Sequence, residues 1–220
     1  MIIYHGSKEI IKSPKWRGSH IHNDYGPAFY MTIDLEAAKS WACRNDIAGI
    51  VNRYHIFNTA FKKLKILDLT NKEKYGVLNW MAILMHFRLL SNSFIESNQI
   101  ALDYLKKYYI NVDEYDVIIG YRADDAYFRF PLRFISNDLA IEDLEDAFLS
   151  GHLGIQYAFM SKKAISLLKF DRAIECDEKY LGHHYKVISE ASKTFDILLN
   201  KPKDPKKTYI FDLMRRNNEQ

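Results

Sequence analysis

The apolar residues of this chain come in short runs, and none of the runs is long. Residues 2–4, 28–32, 49–57, 64–69, 117–121 and 155–160 each have the length and the β-branched or aromatic content of a strand. Helical patterns separate them. Leu35, Ala38, Trp41 and Ala42 make one apolar face that Thr32 or Asp34 can cap. Residues 72–107 read as helix in two pieces split near Ser91-Asn92-Ser93, and residues 141–149 as an amphipathic helix ended by Gly151. Ser161 caps a short helix ending near Leu168. Strands and helices therefore alternate without a βαβ rhythm, and neither GxGxxG nor GxxxxGK[ST] occurs. That excludes a dinucleotide-binding doubly wound sheet and a P-loop enzyme, and predicts an α+β fold.

The pattern changes after residue 177. Leu181, Tyr185, Ile188, Ser192, Phe195 and Leu199 recur at spacings of four and three, one face of a long helix. KPKDPKK at 201–207 breaks it, and residues 208–215 form a last amphipathic piece. The expected organisation is a main domain over residues 1–170 and a helical extension over 171–220 that folds back to cover its apolar face.

Composition narrows the setting. Hydrophobic residues make 48% and charged residues 27% of 220, which excludes wholesale disorder. Two cysteines, Cys43 and Cys176, are too few for a disulfide framework or a four-thiolate metal site. With no basic-then-apolar leader and no apolar stretch of ~20 residues, the chain is expected to be cytoplasmic and free of membrane. Charge is unevenly spread. Residues 1–65 hold ten Lys/Arg against five Asp/Glu, whereas residues 111–148 hold three against ten. The first stretch suits a phosphate-bearing ligand and the second a basic partner, unless both are ordinary solvated faces.

Three motifs carry the chemistry. YHGS at 4–7 ends the first strand: Gly6 lets a ligand approach the backbone, with His5 and Ser7 beside it as hydrogen-bonding groups. NDYGPAFYMT at 23–32 closes a loop rich in helix and strand breakers. YRADD at 121–125 follows a strand, and Arg122 can grip a phosphate while Asp124 or Asp125 takes a proton, or the three simply pair with one another. Cys176 with His183-His184 fits no zinc spacing, so no metal is expected. Trp16, between Lys15 and Arg17, can stack a base or be a plain loop residue.

YHGS followed some 25 residues later by DYGPAFYMT, then YDVIIGYRADDAYF at 115–128 and GHLGIQYAFMSKKA at 151–164, resembles the ADP-ribosyltransferase superfamily in its His–Tyr–Glu branch. More closely, the chain resembles the bacterial toxin-like family catalogued as DUF thirty-nine-ninety, over roughly residues 1–170. The resemblance implies a split β-sheet domain that binds NAD and transfers ADP-ribose to a protein or nucleic-acid acceptor, as a toxin paired with a small antitoxin. It implies that His5 contacts the adenosine ribose, that the Gly6 backbone meets the nicotinamide amide and that Tyr30 stacks on the nicotinamide. Ser7, Tyr25, Gly26, Phe29 and Arg122 complete the implied NAD set, and Gln156 takes the place of the third-motif glutamate.

An amide at that place can orient a ribose hydroxyl but brings no charge and cannot act as a base. Catalytic help is therefore expected from Asp124 or Asp125, and Gln156→Glu is expected to retain or raise activity. Two rival readings remain at this stage: a non-catalytic NAD or ADP-ribose binding module, and an RNA-cleaving toxin using His5.

Overall fold

In the computed structural model, residues 1–44, 47–123, 125–150 and 154–218 are described; Asp124 and the Gly151 cap lie outside them. Among the described residues, seven strands form two small sheets. In the first, β1 (Ile2–Ser7), β3 (Ile50–His55) and β7 (Lys169–Glu175) run in the order β1-β3-β7, all antiparallel. In the second, β2 (Phe29–Met31), β6 (Ile155–Phe159), β5 (Val117–Tyr121) and β4 (Ile66–Asp68) run in the order β2-β6-β5-β4, with only β4 and β5 parallel. One bridge joins the sheets. Tyr4 and Thr32 exchange two backbone hydrogen bonds of 2.8 and 2.9 Å, and beyond them β1 and β2 part.

Helices cover both sheets. α1 (Leu35–Ala42) starts at Asp34, whose Oδ1 accepts from the Glu36 and Ala37 amides, so the expected cap is the one used. It lies so close on β1 that a Cβ on Gly6 would fall on the Ala38 carbonyl. That contact alone requires glycine here. After the short α2 (Asn58–Phe61), α3 (Val77–Phe87) and α4 (Asn92–Lys106) separate where expected, Ser91 Oγ capping α4 through the Phe94 amide at 3.2 Å. α5 (Asp125–Ile135), α6 (Ile141–Ser150) and α7 (Lys162–Ser166) follow. The main core holds Trp80, Met81, Phe130 and Phe134, and a second one holds Ile3, Tyr54 and Phe159.

The tail folds back as expected. In α8 (His183–Leu199), Phe195 is fully buried edge-on against Phe130 with ring centroids 5.0 Å apart, and Ile210 anchors α9 (Ile210–Asn218) in the same core. The uneven charges meet within the chain: Arg17 pairs with Asp113 at 2.7 Å and Lys65 with Glu114 at 3.1 Å, while Lys163, from outside the basic stretch, pairs with Asp116 at 3.1 Å. No described helix is long and apolar enough to cross a membrane.

Candidate functional site

The loop of residues 8–28 connects β1 and β2, and the candidate mouth is the place where the two strands part beyond the Tyr4–Thr32 bridge. At its start, His5 takes the place of a missing backbone bond. Its Nδ1 lies 2.7 Å from the Tyr30 carbonyl, and its ring stacks on Phe29 at 4.3 Å. A carbonyl only accepts, so Nδ1 carries the proton and Nε2 is left as an acceptor. Burial pushes the pKa of His5 down and the Arg44 charge adds to it, against the Tyr30 hydrogen bond, so the ring is neutral at pH 7.

Across the mouth, at the start of β6, Gln156 is only 8% exposed. Its Nε2 donates to Asp24 Oδ2 at 2.8 Å and to the Tyr121 carbonyl at 3.2 Å. Both partners are acceptors, so the amide nitrogen faces them and Oε1 is the atom left for a ligand hydroxyl.

Asp24, 7% exposed, escaped sequence reasoning. It also accepts from the Ala123 amide at 2.9 Å, and Arg88 stands 3.5 Å from its other oxygen. Burial pushes its carboxyl above the usual range, while the Ala123 amide, Arg88, Gln156 and Arg122 all pull it back. Nothing in NDYGP separates this aspartate from an ordinary turn residue; the signal is its three-dimensional neighbours.

Cations converge from two elements. The Arg44 and Arg122 guanidiniums lie 4.0 and 3.9 Å from the centroid of the Trp41 ring. Both guanidiniums therefore lie against the one indole. Arg122 is thus aimed by stacking, and its field reaches Asp24. Trp41 is in the last turn of α1 and was legible as part of its apolar face, whereas Arg44 lies two residues past the helix and nothing in the sequence singled it out.

The remaining expected residues divide clearly. Tyr25 is fully buried, its hydroxyl donating to the Tyr121 carbonyl at 2.7 Å and accepting from Trp80 Nε1 at 3.0 Å, so it braces β5 rather than facing a ligand. Gly26 turns the chain at φ 76°, where a side chain would also strike Phe87. The Tyr30 hydroxyl closes that turn, donating to the Gly26 carbonyl at 2.6 Å and accepting from the Tyr25 amide at 3.1 Å. Its ring is partly exposed and packs on the main core. Ser7 is committed to the loop through the Glu9 carbonyl and Asn52 Nδ2, and Phe29 is buried beneath His5.

Strand alternation adds a division. Gly6 faces α1, whereas His5 points the other way, onto Phe29. The structure brings Gln156, Asp24, Arg122, Trp41 and Arg44 together, with His5 joined to them electrostatically through Arg44. Asp124 and the Asp125 side chain lie outside the described residues; Asp125 is the first residue of α5. Among the described residues no cluster of three His, Cys, Asp or Glu is placed to hold a metal.

A family model described as a protein of unknown function, DUF3990, matches residues 1–170. No curated protein and no solved structure gives a match.

Proposed function

We propose that this chain, which belongs to the DUF3990 family, binds NAD at the β1–β2 mouth and transfers its ADP-ribose to a macromolecular acceptor. In that reaction the bond between nicotinamide and ribose breaks, nicotinamide leaves with the electron pair, and an acceptor nucleophile takes the ribose carbon and gives up a proton. The ribose carbon becomes electron-poor as the bond opens, so negative charge held nearby lowers the barrier.

One observation carries the reading. Gln156 Nε2 is held on Asp24 at 2.8 Å, which leaves Oε1 as the acceptor for a ligand hydroxyl. The amide orients a ribose hydroxyl, and behind it stands Asp24, whose charge Arg88 at 3.5 Å favours against the burial that raises its carboxyl. Asp24 thus answers the chemical objection raised by glutamine at this position. It is bonded to the Ala123 amide as well, so it is a positioning and charge-supplying group rather than the proton acceptor. The division into two small sheets, with His5 on β1 bonded to the Tyr30 carbonyl on β2, supports this reading. His5 Nε2 accepts a ribose hydroxyl, Tyr30 offers its partly exposed ring, and Arg44 and Arg122 meet the pyrophosphate. Asp124 and Asp125, next to Arg122, remain the proposed source of proton transfer. The pairing with a small antitoxin rests on the family resemblance.

The test is incubation of the chain with NAD labelled in the adenylate and a cell extract, followed by protease or nuclease. Label retained on a macromolecule with nicotinamide released supports transfer, and Gln156→Ala should lower the rate about 10- to 100-fold, the loss of one oriented donor–acceptor contact. NAD binding by the folded chain with no nicotinamide released in any extract would favour the non-catalytic module instead.

A further inference from the structure

The loop between β1 and β2 carries a feature the NAD reading leaves unused. Trp16 is 44% exposed, yet it is not loose: its Nε1 donates to the Met160 carbonyl at 2.8 Å. The indole is pinned by its polar edge while much of the ring stays in solvent. The loop beneath is pinned as well, the Ile11 amide donating to Asn52 Oδ1 at 2.7 Å and the Ile11 carbonyl accepting from the Tyr54 hydroxyl.

Cations surround this ring. Lys162 Nζ lies 4.8 Å and the Arg17 guanidinium 5.2 Å from its centroid. Lys163, next in the chain, reaches the Lys63 carbonyl at 3.2 Å, which brings α7 and the end of α2 side by side. Carboxylates answer some of these charges: Asp113 meets Arg17 and Asp116 meets Lys163. Lys15, Lys62, Lys63 and Lys162 form no ion pair among the described residues. Lys162 at the ring, and the Lys62-Lys63 pair where the end of α2 meets α7, put lysines without an ion pair beside an anchored, exposed indole, a surface suited to phosphates with a π-face among them.

We propose that the surface around Trp16, Lys162 and Lys62-Lys63 binds single-stranded nucleic acid, the lysines meeting backbone phosphates and the indole stacking a base. A duplex keeps its base faces covered, so a lone fixed indole selects an unpaired strand. An acidic peptide would satisfy the lysines but leave the ring with no planar partner. The surface lies close to the mouth: Met160 is four residues from Gln156 along β6 and just beyond it, about 13 Å in an extended strand. The inference stands apart from the transferase reading, and every arm of its test omits NAD.

The test is fluorescence anisotropy of the full chain with labelled oligo-uridine and oligo-thymidine of about 12 nucleotides, a length suited to one compact binding face. Binding should weaken with salt on a log–log slope of about −0.7 per phosphate met, and Lys62→Gln and Lys162→Gln should each flatten it by about that amount. Trp16→Leu fills the site without a π-face and should weaken binding ~5- to 150-fold, while Trp16→Phe should keep most of it. Both variants lose the Met160 bond equally, so their difference reports stacking rather than folding. Binding of either oligomer supports the proposal, and comparison of oligo-uridine with oligo-deoxyuridine, which share one base, identifies the sugar read. No binding at low salt, equal loss in the Leu and Phe variants, or equal affinity for polyglutamate would overturn the proposal.

Discussion

Gln156→Glu is the substitution on which sequence and structure part most sharply. By analogy with a catalytic glutamate it should be neutral or helpful, but the contact with Asp24 reverses that expectation. It would set a carboxylate oxygen where Nε2 now stands, 2.8 Å from Asp24 Oδ2. Two unit charges at that distance repel by ~6 kcal/mol at an effective dielectric of 20. Keeping one glutamic acid protonated at pH 7 costs ~4 kcal/mol from its ordinary pKa, which is less. The buried pair should therefore retain a proton and behave as a coupled carboxyl dyad.

The sign of the pH effect follows. Above about pH 4.3 the folded variant binds one more proton than its unfolded chain, so stability falls as pH rises, by ~1.4 kcal/mol per unit, until the dyad ionises. Between pH 5 and pH 7 the variant should lose ~2.7 kcal/mol relative to the parent, a melting temperature lower by ~5–11 °C for a chain of this size. Near pH 4.5 the two should nearly coincide, because a protonated glutamic acid donates to Asp24 as the amide does. Thermal unfolding followed by circular dichroism at a series of pH values measures this. Asp24→Asn combined with Gln156→Glu restores a single charge and should erase the slope. A melting difference between variant and parent that stays constant from pH 5 to pH 8 would refute the Asp24–Gln156 contact.

Two further outcomes follow from the site. Tyr30→Phe keeps the ring but strips the hydroxyl from the Gly26 carbonyl and the Tyr25 amide, and should cost ~1–3 kcal/mol of stability by chemical unfolding, whereas Tyr30→Ala should also weaken NAD binding, read by calorimetry on the folded fraction. Arg122→Lys keeps the charge but loses the flat stack on Trp41, and should weaken NAD binding ~2- to 30-fold, with unchanged affinity counting against Arg122 as a phosphate contact.

The fold was most legible where local chemistry decided it. Asp34 and Ser161 announce helix starts by their own side chains and cap as read, Ser161 Oγ accepting from the Ala164 amide at 3.0 Å, while Ser91, read only as part of the split between two helical pieces, caps α4. Three elements were silent: the short α2, α5 and β7. α5 carries Pro131 in its interior, which ordinarily argues against a helix, yet Phe130 and Phe134 are fully buried and tertiary packing outweighs the lost bond. β7 is an edge strand of mixed charges, KFDRAIE, whose pairing with β3 bends at Arg53/Tyr54. Its alternation is too polar to mark a buried face. It also continues past residue 170, so the first sheet is completed by residues beyond the point where the sequence suggested a division.

The site was legible as motifs but not as a constellation. YHGS, AFYMT and GIQYAF identify positions on three strands, and strand pairing does bring them around one mouth: Tyr30 lies opposite Ala158, two residues from Gln156, and Tyr4 bridges Thr32. What spacing cannot express is which polar group ends up against which. Asp24 sits 132 residues from Gln156, and its importance comes from being buried against it, a property of loop 8–28 folding over β6. If the chain transfers ADP-ribose, the charge that a third-motif glutamate would carry on β6 has moved to this loop and acts through an amide. That arrangement predicts a specific dependence. Asp24→Asn should cut turnover while Gln156 keeps its place, because the amide oxygen of the substituted side chain still accepts from Gln156 Nε2 but brings no charge. A rate for Asp24→Asn equal to the parent's, with NAD affinity also unchanged, would leave the buried carboxylate a structural bond alone.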